Sequence, residues 1–265
     1  MLVIVSKTYA AAPSSQPATT PASSQASQPA KELTLDLGDK VTMKLAIIPA
    51  GKFLMGSPKD EKDRRDDEGP QHEVTISKPF YMGIYEVTQE QYFQVTGTNR
   101  SRFKVPQHPV ETVSWPDAVE FCKKLSQTTG MSVHLPTEAQ WECACRAGST
   151  TRFSYGDDDR KLGDYAWYVK NSGAKSHPVG QKKPNDFGLY DMHGNTSEWC
   201  SDWYAESYAD TNTADPAGPA TGKTRVLRGG MWLNDPPVCR SARRSSYGPG
   251  ARGYVFGFRV VVDLK

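Results

Sequence analysis

Apolar and polar residues alternate at Leu33, Leu35 and Leu37, and an apolar-rich run Met43-Lys44-Leu45-Ala46-Ile47-Ile48 leads into the turn residues Pro49-Ala50-Gly51. This pattern predicts a strand pair entering a turn. Phe53–Ser57, His72–Ile76 and Phe80–Gly83 read as three more short strands. The period then lengthens. Thr88-Gln89-Glu90-Gln91 has the form of a helix cap, with Tyr92, Phe93 and Val95 on the following turns. A second helix is predicted from Ser114-Trp115-Pro116-Asp117, because Ala118, Val119, Phe121, Cys122 and Leu125 recur at helical spacing. Thr137 caps a third, whose backward extension Pro136 blocks. After Gly148 the chain is dense in Gly, Asp, Asn, Pro, Tyr and Trp and predicts ordered loops on a small sheet, closed by a terminal strand over Tyr254–Val262.

Residues 1–35 differ from the rest. Repeated Ser, Pro, Ala, Thr and Gln through Pro29 have almost nothing to bury, which predicts a solvated tail or linker. Leu2-Val3-Ile4-Val5 near Ala10-Ala11-Ala12 has the outline of a degraded export signal without its basic start. The folded domain is placed at 36–265, and the protein is expected to be exported, periplasmic or extracellular. Pro58–Gly69, with its mixed charges, reads as a solvated loop without a site.

Composition narrows the function classes. The 32 basic and 30 acidic residues leave a net charge of +2, which argues against a nucleic-acid partner held by electrostatics. No apolar run is long enough to span a bilayer. Gly (22) and Pro (19) are frequent enough to imply a loop-rich fold, yet not a disordered one. Five cysteines, scattered and odd in number, do not make a disulfide scaffold. There is no His-Glu-x-x-His, nucleophile elbow, P-loop or dinucleotide fingerprint, and the five histidines never fall at paired ligand spacing.

A more specific signal is the ordered set Ile48–Gly56, Tyr85-Glu86-Val87-Thr88, Val113–Ala118, Leu135–Glu142, Asn185–Asn195, Arg228-Gly229-Gly230 and Gly257-Phe258-Arg259. Together these segments resemble the sulfatase-modifying factor family over roughly residues 40 to 263. The resemblance implies a single α+β domain of low secondary-structure content, akin to C-type-lectin-like folds and often stabilised by calcium. The founding enzymes oxidise a sulfatase-peptide cysteine to formylglycine with oxygen, using copper(I) held by two cysteines. Soft thiolates select Cu(I), so two must face each other. Here Asn234 falls at the first metal cysteine, Met231 at the family's serine, and Cys239 at the second cysteine when counted without gaps. Registering Arg240–Arg244 on the next family segment leaves Cys239 matching neither. Ser197 stands where the active enzymes carry an aromatic residue.

The resemblance also places Cys122 and Cys145 at disulfide positions whose partners would be Val260 and Ser241, so those bonds cannot form. Cys200 and Cys239 remain either a pair or two buried thiols. For calcium, the resemblance names the side chains of Asp191 and Glu198 and the carbonyls of Gly194 and Thr196, a set rich in oxygen around a glycine turn. Trp199, Trp203, Trp232, Tyr204 and Tyr254 are candidates for a recognition groove or for core. Arg240, Arg243 and Arg244 are candidates for a carboxylate or sulfate, or for internal ion pairs. The expected groove comprises Trp232, Asn234, Ser197, Arg240 and Arg244, with Cys239 the candidate reacting residue. The expectation is a peptide- or ligand-binding member, its partner a peptide or protein such as a sulfatase. An oxygen-dependent formylglycine-type oxidase, or a non-haem iron relative, is the alternative.

Overall fold

The computed structural model describes residues 31–208 and 213–264. The expected linker and export signal lie outside the described residues as far as residue 30, and no described helix is long and apolar enough to cross a membrane. The strands are β1 (Glu32–Asp36), β2 (Thr42–Ile48), β3 (Gly51–Met55), β4 (His72–Ile76), β5 (Phe80–Gly83), β6 (Val133–His134), β7 (Ser197–Trp203), β8 (Arg225–Arg228), β9 (Ser245–Tyr247), β10 (Phe256–Gly257) and β11 (Val261–Asp263). The helices are α1 (Gln89–Thr96), α2 (Trp115–Thr129), α3 (Glu138–Arg146) and α4 (Leu162–Tyr165). β1 thus begins inside the stretch assigned to the tail.

All three expected helix starts are present. Thr88, Ser114 and Thr137 each accept a backbone N–H three residues on, and Gln91, Asp117 and Gln140 return the bond. Such reciprocal caps satisfy amides that the helix itself leaves unpaired. α2 turns Ala118, Phe121, Cys122 and Leu125 inward. The Phe121 ring meets Tyr92 of α1 at 5.6 Å and Phe258 at 5.2 Å. A side chain buried to this degree contributes roughly 1.5–3 kcal/mol.

Behind the helices lies a five-stranded sheet in the order β1-β2-β5-β11-β6, all antiparallel. Its β1–β2 pair matches Glu32 with Ala46 and Asp36 with Thr42. A second sheet runs β10-β7-β8-β9, with β10 parallel to β7, and β3 pairs β4 separately. The expected terminal strand is divided between the two larger sheets. A Cβ at Gly257 would stand 2.8 Å from the Val110 carbonyl, so the backbone passes close there. Beyond it, Arg259 sends its guanidinium to Glu198 on β7.

The charged loop before β4 is not simply solvated, correcting that expectation. Glu68 is fully buried, its carboxylate bound by Arg240 and by the Ser57 hydroxyl.

Candidate functional site

The candidate site is built on the turn Gly229–Asn234. Gly229 and Gly230 adopt φ of +94° and +71°, and a Cβ at Gly230 would stand 2.9 Å from Cys239 Sγ. Glycine is needed there for both conformation and space. The turn is held from several sides. The Ser197 hydroxyl donates to the Gly230 carbonyl at 2.7 Å, and the Trp232 amide donates to Asn195 O at 3.0 Å. The Ser172 hydroxyl donates to Trp232 O at 2.8 Å, and Val169 N–H donates to Asn234 O at 3.1 Å.

Trp232 is buried against Phe103 at 6.3 Å and Tyr254 at 5.9 Å. The Arg102 guanidinium lies over the Phe103 and Tyr254 rings, at 5.7 and 4.9 Å from their centroids. Tyr254 keeps 40% and Leu233 42% of its surface exposed. Trp232 Nε1 and Asn234 Oδ1 are buried without a partner among the described residues. These residues make an aromatic shelf with a cation above it. Arg102 and Phe103 carry no motif or periodic signal, so sequence reading does not single them out.

Of the five expected groove aromatics, only Trp232 and Tyr254 meet. Trp199 is core, its Nε1–H donating to Val113 O at 3.0 Å. Trp203 and Tyr204 lie under Arg225 and Arg244 instead. The groove expectation for Arg240 and Arg244 is likewise corrected. Arg240 pairs with Glu68 and Glu61, and Arg244 holds Glu138 through Nε and Nη2 at 2.6 and 2.8 Å. Both arginines are buried. The half-buried Arg243 donates to the Arg244 carbonyl.

Cys239 is fully buried among Phe153, Leu162, Ala166 and Tyr168, and burial pushes its thiol up to about 12. A neutral-pH thiolate is therefore disfavoured. All five cysteines are free, and Cys200 packs in a different cluster from Cys239. A two-thiolate copper(I) site needs a second facing sulfur, and Asn234 supplies an amide. The residues present do not fit copper(I).

Several of the calcium candidates are engaged with protein partners. Glu198 Oε2 accepts Trp141 Nε1–H at 2.7 Å and Arg259 Nε–H at 2.6 Å, while Oε1 accepts Arg259 Nη2–H at 2.6 Å. The Thr196 amide and hydroxyl both donate to Glu86, at 2.8 and 2.5 Å. Asp191 accepts the Gly180 amide on Oδ2, and its Oδ1 is buried without a partner among the described residues. Burial raises the Asp191 carboxyl to about 6. Gly194 approaches Trp167 so closely that a Cβ would stand 2.3 Å from its carbonyl oxygen. Among the described residues no three His, Cys, Asp or Glu side chains gather as metal ligands. Because Arg259 already neutralises Glu198, EDTA is expected to leave the melting temperature unchanged. A fall of about 5 °C or more in a thermal melt would contradict this.

A family model described as the sulfatase-modifying factor enzyme 1-like domain matches residues 38–264. The formylglycine-generating enzyme of Mus musculus is 31% identical over 287 residues, covering 83% of this chain and 75% of that one. Among solved structures, Treponema denticola variable protein 1 superposes with a TM-score of 0.81 at 31% identity, covering 88% of this chain and 99% of that one. PvdO from Pseudomonas aeruginosa gives 0.79 at 31% identity, with 88% and 98% covered.

Proposed function

Because the chain belongs to the sulfatase-modifying factor family, on a loop-rich α+β fold of the formylglycine-generating and C-type-lectin-like kind, we propose that it is a ligand-binding member rather than a copper oxidase. One observation carries this reading: Cys239 is sealed in an apolar cluster, and no second cysteine accompanies it. A thiol held at about 12 presents almost no thiolate at neutral pH, whereas copper(I) needs two.

The shelf suits recognition. Tyr254 and Leu233 offer exposed apolar surface, Trp232 stiffens it from below, and Arg102 supplies a cation above the rings. Aromatic side chains and arginine combine large contact area with small ordering cost, which is why they anchor interfaces. The ligand class this favours is a peptide or protein segment carrying apolar side chains and a carboxylate. An exported sulfatase partner agrees with the family's founding activity.

The test has two arms on the full chain. In competition with a copper(I) chelator, no stoichiometric copper(I) binding is expected. Incubation with a Cys-x-Pro-x-Arg peptide, copper and oxygen is expected to yield no aldehyde by mass spectrometry. Against a displayed peptide library, the chain should enrich acidic, apolar segments, and Arg102→Glu combined with Tyr254→Ser should weaken their binding by tenfold or more, about 1.4 kcal/mol. Aldehyde product, or tight copper(I) uptake, sinks the proposal.

A further inference from the structure

A cavity of about 280 Å³ opens between the start of α3, the end of β7, and the strands β3 and β4, on residues separate from the Trp232 shelf. Met55, Ala139, Trp203, Tyr208, Pro216 and Pro219 give it apolar walls. At roughly 20–30 Å³ per non-hydrogen atom it admits a molecule of about ten such atoms.

What it would bind follows from which polar atoms are already spent. Arg244 is the cation in the wall, but Nε and Nη2 are given to Glu138 and Nη1 to the carbonyls of Asp67 and Ala205. Glu138 is correspondingly neutralised by Arg244 and Arg228. Asp202 is different. Its Oδ2 accepts the Glu138 amide and the Ser201 hydroxyl, both at 2.9 Å, whereas Oδ1 has no donor among the described residues. That oxygen faces Gly218, where a Cβ would come within 3.1 Å of it. His72 donates Nδ1–H to Pro70 O at 2.9 Å, which leaves Nε2 of the neutral ring as an acceptor, and its ring rests against Tyr208 at 5.1 Å. The unspent oxygen of the buried carboxylate is therefore an acceptor, set among apolar walls.

We propose that this cavity binds a small organic cation, a primary ammonium on a short apolar stem, with the ammonium on Asp202 Oδ1 and the stem against Met55 and Tyr208. An anion would meet the carboxylates of Glu138 and Asp202, with the Arg244 guanidinium in the wall already committed to Glu138 and to carbonyls. A multidentate metal is disfavoured because no three ligand side chains converge among the described residues. Arg244 and Arg225 act on Asp202 from a distance, and among the described residues no cation pairs with it directly. Burial, and then the charge of Glu138, raise Asp202 to about 7, and an ammonium partner stabilises its ionised form. The charged and titratable groups around it are Glu138 on α3, Arg244 before β9, Arg225 on β8, His72 on β4, Cys200 on β7, and Tyr208.

The test uses the intact chain and two probes of like shape, benzylamine and benzyl alcohol, followed by amide NMR. Benzylamine is expected to shift the amides of Glu138 and Gly218 with a dissociation constant of about 1 mM or below, and benzyl alcohol to bind at least tenfold more weakly. Because the ammonium requires ionised Asp202, benzylamine affinity should fall about tenfold from pH 8 to pH 6. His72→Gln should retain that pH response. Asp202→Asn should abolish binding, and Gly218→Ala should weaken it by placing a methyl beside Oδ1. Should either variant fail to fold, the paired probes on the parent chain decide the matter alone. Equal binding of the alcohol, shifts confined to other amides, or no shift at about 10 mM benzylamine would each overturn the proposal.

Discussion

Arg240→Met is expected to lower unfolding stability by about 3–5 kcal/mol, among the largest losses available to a single substitution in this protein. Arg240 is wholly buried, and its guanidinium joins Glu68 and Glu61 to the carbonyls of Pro237 and Asp63. Removing it strands Glu68, itself buried, without its direct ion-pair partner, and a buried carboxylate that loses its partner is the costly part. The double variant Arg240→Met with Glu68→Gln should recover part of the loss, because the fully buried carboxylate is then neutral and only Glu61 is left without its guanidinium. Guanidinium melts of parent, single and double variants measure both effects. A single-variant loss below about 1 kcal/mol would show that the network is peripheral to stability.

A second large effect depends on pH. His193 donates Nδ1–H to the Cys239 carbonyl at 2.8 Å and accepts the Ser154 amide on Nε2 at 3.1 Å, so it is held as the neutral ring. Burial lowers it from 6.5 to about 4. Below pH 6.5 the unfolded chain takes up a proton that the folded ring refuses until about pH 4, so stability falls across that window as pH drops. The gap of about 2.5 pH units, at ~1.4 kcal/mol each, corresponds to about 3 kcal/mol. His193→Gln should be less stable than the parent at pH 7.5, having lost a bond geometry that glutamine does not reproduce. Its deficit should then narrow by about 3 kcal/mol on approaching pH 4. Asp191 and Asp202, raised to about 6 and 7, act oppositely and favour the folded state as they protonate, but they are common to both proteins and cancel. Denaturant melts at several pH values supply the comparison. A deficit constant with pH would mean that His193 titrates normally in the folded chain.

The candidate site is legible in the sequence only where a local pattern names a residue. Trp232, Asn234 and Cys239 stand out because the Arg228-Gly229-Gly230 segment registers them against a family motif. In the fold, Gly230 closes over Cys239 where a side chain would collide. Arg102 and Phe103 are the opposite case. They reach Tyr254 and Trp232 from a segment more than a hundred residues away, and neither spacing nor composition records that meeting.

Sequence by itself determined the three helix starts, the β1–β2 pair and the family. Capping and strand alternation act within a few residues, and the family motifs lie in the order of the letters. Tertiary structure alone decided which charges are structural and which surface is open. Glu68 and Arg240 are separated by 172 positions, and Glu198 and Arg259 by 61, yet each pair forms one buried unit. The same carboxylate letter stands in a solvated loop and in a sealed ion pair. What distinguishes them is the loss of water, and that belongs to the packing of the whole chain rather than to any one segment of it.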